Sequence, residues 1–224
     1  PAYEIGVRLV GSEMCIRDRF ITFEGIDGSG KTTQINHFEK YIADSGIDYI
    51  KTREPGGSKG AEEIRSLLVK GKTSRWSPET EILLFFASRR DHMEKTIRPA
   101  LEAGKIVICD RFTDSSRIYQ GFTRSGAISK VDELHKMMIG LEPDLTFILD
   151  IEPRLALKRG LARKSGEDRF EDFGEEFQKK ARKGFLKLSK EFPIRCKLIN
   201  ADREPSKISK DIINQYKKLA QAKI

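Results

Sequence analysis

Lys31 and Thr32 close a glycine-rich run, Gly25-Ile26-Asp27-Gly28-Ser29-Gly30, in the pattern G-x-x-x-x-G-K-[ST]. A lysine at that spacing reaches the β- and γ-phosphates of a nucleotide, and the following hydroxyl is placed for a magnesium coordination position. The glycines let the backbone curl until its N–H groups point inward, and a helix starting near Lys31 adds its positive dipole end to the same hollow. Gly25 to Thr33, with Ile26, Ser29 and Thr33 among them, are therefore the expected ATP cradle. Magnesium is the expected cofactor. Asp27 puts a carboxylate inside the loop, within reach of an acceptor and of a hydrated metal.

Three more groups could act with it. Arg53 heads Arg53-Glu54-Pro55-Gly56-Gly57, a run of residues that break regular structure. Asp110 and Arg111 end the apolar run Ile106-Val107-Ile108-Cys109, with Asp110 a second metal candidate, partly through water. Arg154, Lys158, Arg159, Arg163, Lys164 and Arg169 crowd one stretch, with Arg159 and Arg163 four residues apart. An arginine fork suits the charge that spreads over a transferring phosphoryl group, so residues 154–170 read as a helical lid. The competing reading is a solvated basic helix. Phe85 and Arg89, also four apart, share a helix face, where a ring and a guanidinium could meet a planar base. Spacing alone favours Phe85 as a core residue.

The elements that would position these groups alternate. A strand at Phe20 precedes the loop, helices fall over 32–45, 60–69, 78–103, 130–139, 173–192 and 205–222, and further strands over 47–52, 106–110, 145–150 and 196–200. Short, continuously apolar strands separated by helices imply a parallel sheet covered on both faces. The fold class is therefore α/β: a P-loop NTPase fold with a five-stranded parallel sheet flanked by helices. Parallel βαβ units bring the ends of the strands, and with them Lys31, Arg53 and Arg111, to one edge. Residues 112–121 read only as a polar segment carrying Tyr119.

Composition narrows the classes. The 224 residues carry a formal charge of +8, spread along the chain with some concentration near residues 154–169. Basic stripes interleaved with aromatics, as a nucleic-acid surface needs, are not its pattern, although a nucleotide-dependent nucleic-acid-binding protein is the alternative from another class. Cys15, Cys109 and Cys196 suggest neither a disulfide framework nor a metal cluster, and fit a reducing, cytoplasmic compartment. No run approaches the roughly eighteen apolar residues of a membrane span. Residues 1–19, interrupted by six charges, are expected to be foreign to the fold, leaving 20–224 as a single domain.

Read together, FITFEGIDGSGKTTQ (20–34), TREPGGSKGAEEIRSLL (52–68), LLFFASRRDHMEKTIRPAL (83–101), DRFTDSSRIYQG (110–121), PDLTFILD (143–150) and DRFE (168–171) closely resemble the thymidylate kinase family. The resemblance covers 20 to about 220 in unbroken order. It implies magnesium-dependent transfer of the ATP γ-phosphoryl to dTMP, giving dTDP, on a homodimer, with the long helix 78–103 as the expected contact. It further implies that Asp27 lies by the acceptor's sugar and phosphate, and that Arg53 and Arg111 grip that phosphate. Phe85 would stack on thymine and Arg89 would meet its carbonyl edge, against the spacing-based preference for a core phenylalanine. Ser116, Tyr119 and Gln120 would line deoxyribose and base, with Tyr119 disfavouring a 2′-hydroxyl. Because the phosphate loop holds no arginine, the likeness is to the bacterial arrangement, in which Arg159, Arg163 or Arg169 supplies it from the lid. Ser88 stands where an acidic residue is common, and Arg90 and Asp91 replace smaller or neutral residues. A kinase of another nucleoside monophosphate or of a deoxynucleoside is the neighbouring alternative.

Overall fold

Apolar strands in this chain alternate which face they fill, and that alternation builds two cores. In the computed structural model, which describes residues 20–72, 74–125, 128–161 and 174–221, β1 (Phe20–Glu24) is buried at every position. Ile21 and Phe23 enter one core, Phe20 the other. β2 (Tyr49–Arg53), β3 (Ile106–Asp110), β4 (Leu145–Asp150) and β5 (Cys196–Asn200) complete a five-stranded sheet in the order β2-β3-β1-β4-β5, with every pairing parallel. The expected α/β class and strand number hold. The edge strand β2 starts at Tyr49, two residues later than the pattern suggested.

The first core packs the sheet against α1 (Lys31–Asp44), α8 (Gly174–Glu191) and α9 (Pro205–Gln221). Phe38 of α1 is its centre: its ring lies 5.8 Å from Phe23, 6.1 Å from Phe147 and 5.3 Å from Tyr216 of α9. The second core joins the opposite face to α3 (Pro78–His92) and α6 (Ile128–Met138) through Phe86, Ile97, Phe112 and Val131. Beside them lie α2 (Lys59–Val69) and α7 (Pro153–Leu161).

The long helix after Pro78 runs through three segments: α3, a π-helical turn at Met93–Ile97, and α4 (Arg98–Glu102). Pro99 lacks the N–H that an α-helix would give to residue 95. The Arg98 N–H reaches back five residues, to the Met93 carbonyl.

One segment departs from its reading. Residues 113–125 are helical, α5 (Thr113–Ser116) continuing into a π-helical Arg117–Ser125. Its polar residues are inside the protein: Thr113, Asp114, Ser116 and Gln120 are all at most 1% exposed. Asp114 is paired with both Arg117 and Arg195, and Thr113 with His135. Polar composition mimics a loop, and only partners distant in sequence make burial affordable.

Removing the Phe38 ring takes away contacts with four other rings. Phe38→Ala is expected to lower unfolding free energy by about 3–5 kcal/mol, measured by urea denaturation, with the slope of the transition unchanged.

Candidate active site

The parallel register brings the chemistry to one edge. Phe23 pairs with Asp110, and Arg53 with Asp110, so the ends of β1, β2 and β3 lie side by side at the sheet's C-terminal edge. The turn after β1 closes there. Gly28, at φ +79°, packs so tightly on α7 that a Cβ would come 2.0 Å from the Ala156 carbonyl oxygen. Glycine is therefore required for both conformation and space. No side chain caps the start of α1 and its first turn carries no acid, which leaves its N–H groups open to an anion.

Lys31 is buried and donates to the loop's own carbonyls, Gly25 and Ile26, each at 3.1 Å. Burial and the nearby charge of Arg111 push its ammonium down to about 8, despite Asp27, Asp110 and Glu24. Arg111 takes φ +71°, a costly setting for a residue with a Cβ. Its guanidinium donates to the Gly25 carbonyl (3.1 Å), the Ser115 hydroxyl (3.0 Å) and Asp27 (2.5 Å). Burial works to raise the Asp27 pKa, but the charges of Arg111 and Lys31 outweigh it and hold Asp27 below its ordinary value.

A cavity of about 400 Å³ opens from this loop toward α3. Lys31, Thr32, Arg53, Phe85, Arg89, Asp110, Arg111, Ser116, Tyr119 and Gln120 all border it. Phe85 is half-buried on the cavity wall, whereas its neighbour Phe86 joins the core. The spacing-based preference for a core phenylalanine belongs to Phe86. Arg89, on the helix face it shares with Phe85, is only 2% exposed. It pairs with Glu54 at 2.7 Å and donates to Ser116 at 3.0 Å, while Nη1 is buried without a partner. Asp110 Oδ1 is likewise buried and unpartnered. Arg53 borders the cavity paired with Glu62 at 3.2 Å, and Gln120 donates to Glu81. A second cavity of about 330 Å³ touches the other side of the loop at Ser29, Gly30 and Thr33, and is walled by Gln34, Arg159 and Arg203.

A phosphate cradle thus separates two hollows, one bordered by a ring and donors, the other by an arginine of α7. Residues 23–212 match the family model for thymidylate kinase. The chain is 57% identical over 195 residues to a thymidylate kinase of Dinoroseobacter shibae, covering 87% of this chain and 94% of that protein. A thymidylate kinase of a Jannaschia species is 58% identical over 193 residues, covering 86% and 93%. Among solved structures, the crystal structure of thymidylate kinase from Ehrlichia chaffeensis superimposes with a TM-score of 0.73 at 37% identity, covering 88% of this chain and 97% of that one. The chain belongs to the thymidylate kinase family.

Thymidylate kinases transfer the γ-phosphoryl group of ATP to dTMP, and this chain is a nucleoside monophosphate kinase of that kind. All the residues that sequence suggested for the acceptor lie around the first cavity, whereas the lid arginine Arg159 stands apart at the second, its Nη1 3.4 Å from the Ala201 carbonyl. Arg163 and Arg169 lie outside the described residues. The residues that depart from the family pattern serve packing. Ser88 donates to the Ala61 carbonyl, Asp91 accepts from Ser58 and from the Ala61 N–H, and Arg90 binds Glu94 and the Met138 carbonyl.

Glu24 went unrecognised in the sequence. It is fully buried, accepts from the N–H groups of Phe112 and Ser115, and takes the Ser115 hydroxyl at 2.6 Å. A carboxylate from β1 therefore caps the start of α5 and braces Arg111 through Ser115. An acid ending an otherwise apolar central strand was the available signal. Burial, with Asp114 adding to it, pushes the carboxyl up to about 7.

Two pH dependences follow. A polyphosphate pairs with an ammonium and not with an amine, so an ATP affinity that depends on Lys31 is expected to fall as pH rises through about 8, by up to about tenfold per unit. Titration of a fluorescent ATP analogue from pH 7 to 9.5 measures it, and Lys31→Arg, charged throughout, should flatten the curve. For Glu24 the native state holds a proton that the unfolded chain releases near 4.5, so its contribution to stability is present below that pH and is lost as pH rises to about 7. The loss is on the order of 3 kcal/mol. Glu24→Gln should remove that slope from thermal melts taken between pH 4.5 and 8.

Proposed function

We propose that the first cavity is the dTMP site and that the loop with the second cavity takes ATP. The observation that carries this reading is the buried, unpartnered Nη1 of Arg89, beside Phe85 on the wall of the first cavity. A buried donor without a partner is costly unless a ligand supplies an acceptor. In this reading Phe85 stacks on thymine, Arg89 meets its carbonyl edge, and Ser116, Tyr119 and Gln120 line base and sugar. Arg53 and Arg111 hold the acceptor phosphate, Arg53 by exchanging Glu62 for it. Arg111 is oriented for this by Asp27, whose depressed pKa keeps it anionic and unsuited to carry a proton. No base is needed, because a phosphate monoester with its second pKa near about 6 is already largely dianionic at neutral pH.

Thr32 and Asp110 fit magnesium. The ion takes few protein ligands and keeps waters and phosphate oxygens, and Asp110 Oδ1 offers a buried lone pair that no protein donor uses. Bound there, it would neutralise charge between the β- and γ-phosphates. The loop N–H groups and Lys31 would align the donor, and Lys31 would leave the Gly25 and Ile26 carbonyls to do so. Arg159, with Arg163 and Arg169 in a lid spanning 154–170, would meet the charge of the transferring group. Residues 20–224 act as one domain in this reading, with 1–19 as an extension. Free, buried Cys109 and Cys196 favour a reducing cytoplasmic setting. Leu83 of α3, 58% exposed, and Met137 of α6, 72% exposed, favour self-association along the long helix. No helix among the described residues is long and apolar enough to cross a membrane.

A coupled ADP-release assay with ATP and magnesium, offering dTMP, dUMP, dCMP, dGMP, UMP and AMP separately, tests the acceptor. Strong preference for dTMP, abolished by Lys31→Ala, is expected; preference for another monophosphate would move the acceptor assignment. Alanine at the lid arginine that acts on the transition state should lower turnover something like 10³-fold with a smaller effect on ATP binding. Equal losses in both, at each of Arg159, Arg163 and Arg169, would remove that role.

A further inference from the structure

What fixes Arg89 comes from outside its own helix. Glu54, the residue just after β2, is 3% exposed at its side chain, and one carboxylate oxygen accepts from Arg89 Nε at 2.7 Å. The other oxygen meets His92 Nδ1 at 3.1 Å, and His92 Nε2 lies 2.6 Å from the Thr52 hydroxyl. One tautomer satisfies every group: Nδ1–H donates to Glu54 and Nε2 accepts from Thr52. The turn seals this relay. A Cβ on Gly57 would stand 2.3 Å from His92 Nε2 and 2.4 Å from Thr52 Oγ1, and Thr96 holds the Gly57 carbonyl at 2.8 Å.

On the far side, Ser116 accepts from Arg89 Nη2, and the rings of Phe86 and Phe112 lie 4.9 and 5.2 Å from the guanidinium carbon. The guanidinium is thus held at Nε and Nη2 and near two rings, and Nη1 has no partner in the protein. Arginine offers donors only. A base edge that meets Nη1 must accept there, as the 4-oxo group of thymine does and the 4-amino group of cytosine does not.

We propose that Glu54, backed by His92 and Thr52, is a positioning residue that sets the angle of the Arg89 guanidinium and thereby discrimination between 4-oxo and 4-amino pyrimidine monophosphates. The inference rests on the base-reading role given to Arg89 above. A purely structural ion pair between the turn and α3 would instead affect all acceptors alike. Glu54→Gln preserves shape but removes the negative charge. The amide oxygen can still accept from Arg89 Nε, with His92 taking the other tautomer to accept the amide N–H, so a charged pair becomes a weaker neutral hydrogen bond and the guanidinium is held less firmly.

The test compares KM for dTMP with the competitive inhibition constant of dCMP, in wild type, Glu54→Gln, His92→Gln and Arg89→Gln, with KM for ATP as a control. For Glu54→Gln, KM for dTMP is expected to rise about tenfold or more while the dCMP constant changes less than about threefold and KM for ATP stays level. His92→Gln should shift the same ratio by less. If Arg89→Gln leaves the ratio at its wild-type value, the base-reading role of Arg89 fails. If Arg89→Gln collapses the ratio but Glu54→Gln weakens dTMP and dCMP equally, Glu54 is structural and the proposal is overturned. Should Glu54→Gln not fold, His92→Gln decides: a lowered ratio supports the relay and an unchanged one rejects it.

Discussion

Two cations, Lys31 and Arg111, stand close together in a pocket shielded from water, and the fold must hold them there. Each disfavours the other's charge, which is why burial and Arg111 together depress Lys31. Compensation comes from Asp27, Asp110 and Glu24, placed by the ends of β1 and β3 and the loop between β1 and α1. Their placement depends on the parallel register of β1 and β3, which puts Phe23 opposite Asp110. A slip of one residue would turn every side chain of the strand to the opposite face and separate the acids from the bases. Positive potential poised over a phosphate loop is the working feature of the molecule, and the sheet is the frame that makes it tolerable.

That constraint also accounts for the strained backbone at Arg111. A residue with a Cβ holds φ +71° only where its surroundings over-determine it. Here the Arg111 N–H binds the Phe23 carbonyl, its guanidinium binds Gly25, Ser115 and Asp27, and Glu24 clamps the helix that follows. Catalysis of phosphoryl transfer is largely positioning and charge neutralisation, with little covalent work for the protein. Strain set into the scaffold at Arg111 is a cost carried by the fold itself.

A second, partly buried ionic assembly does comparable work farther from the glycine loop. Asp114 receives Arg117 and Arg195, and Glu142 receives Arg117 and His135, tying the helical segment 113–125 to β5 and α6. Burial works to raise the Glu142 pKa, but hydrogen bonds from His135 and Arg117 overcome it and hold the carboxyl well below the ordinary range. Segment 113–125 carries Ser115, Ser116, Tyr119 and Gln120 to the first cavity, so this anchoring fixes part of its wall. Removing one partner would leave another charge buried and uncompensated.

How far the sequence spoke depended on range. The phosphate loop, the five strands and the helices that cover them were legible because their signals are local: glycine spacing, continuous apolar runs and helical periodicity each act over a few residues. Lys31, Arg53 and Arg111 could be brought to one edge by the handedness of βαβ units alone. Interior polar residues were not legible. The run from Thr113 to Gln120 read only as polar, and nothing local marked Arg89 as interior, because their partners, Glu24, Glu54, Glu81 and Arg195, lie 35 to 91 positions away in the pairs that bury them. Between Phe85 and Phe86, periodicity could not choose which faced the cavity; packing on Phe20 and Phe112 took Phe86 inward. Composition and spacing thus determined the class of fold and the kind of ligand. Only tertiary structure decided which charges are buried and which donor is left over, since desolvation depends on neighbours that no window of sequence contains.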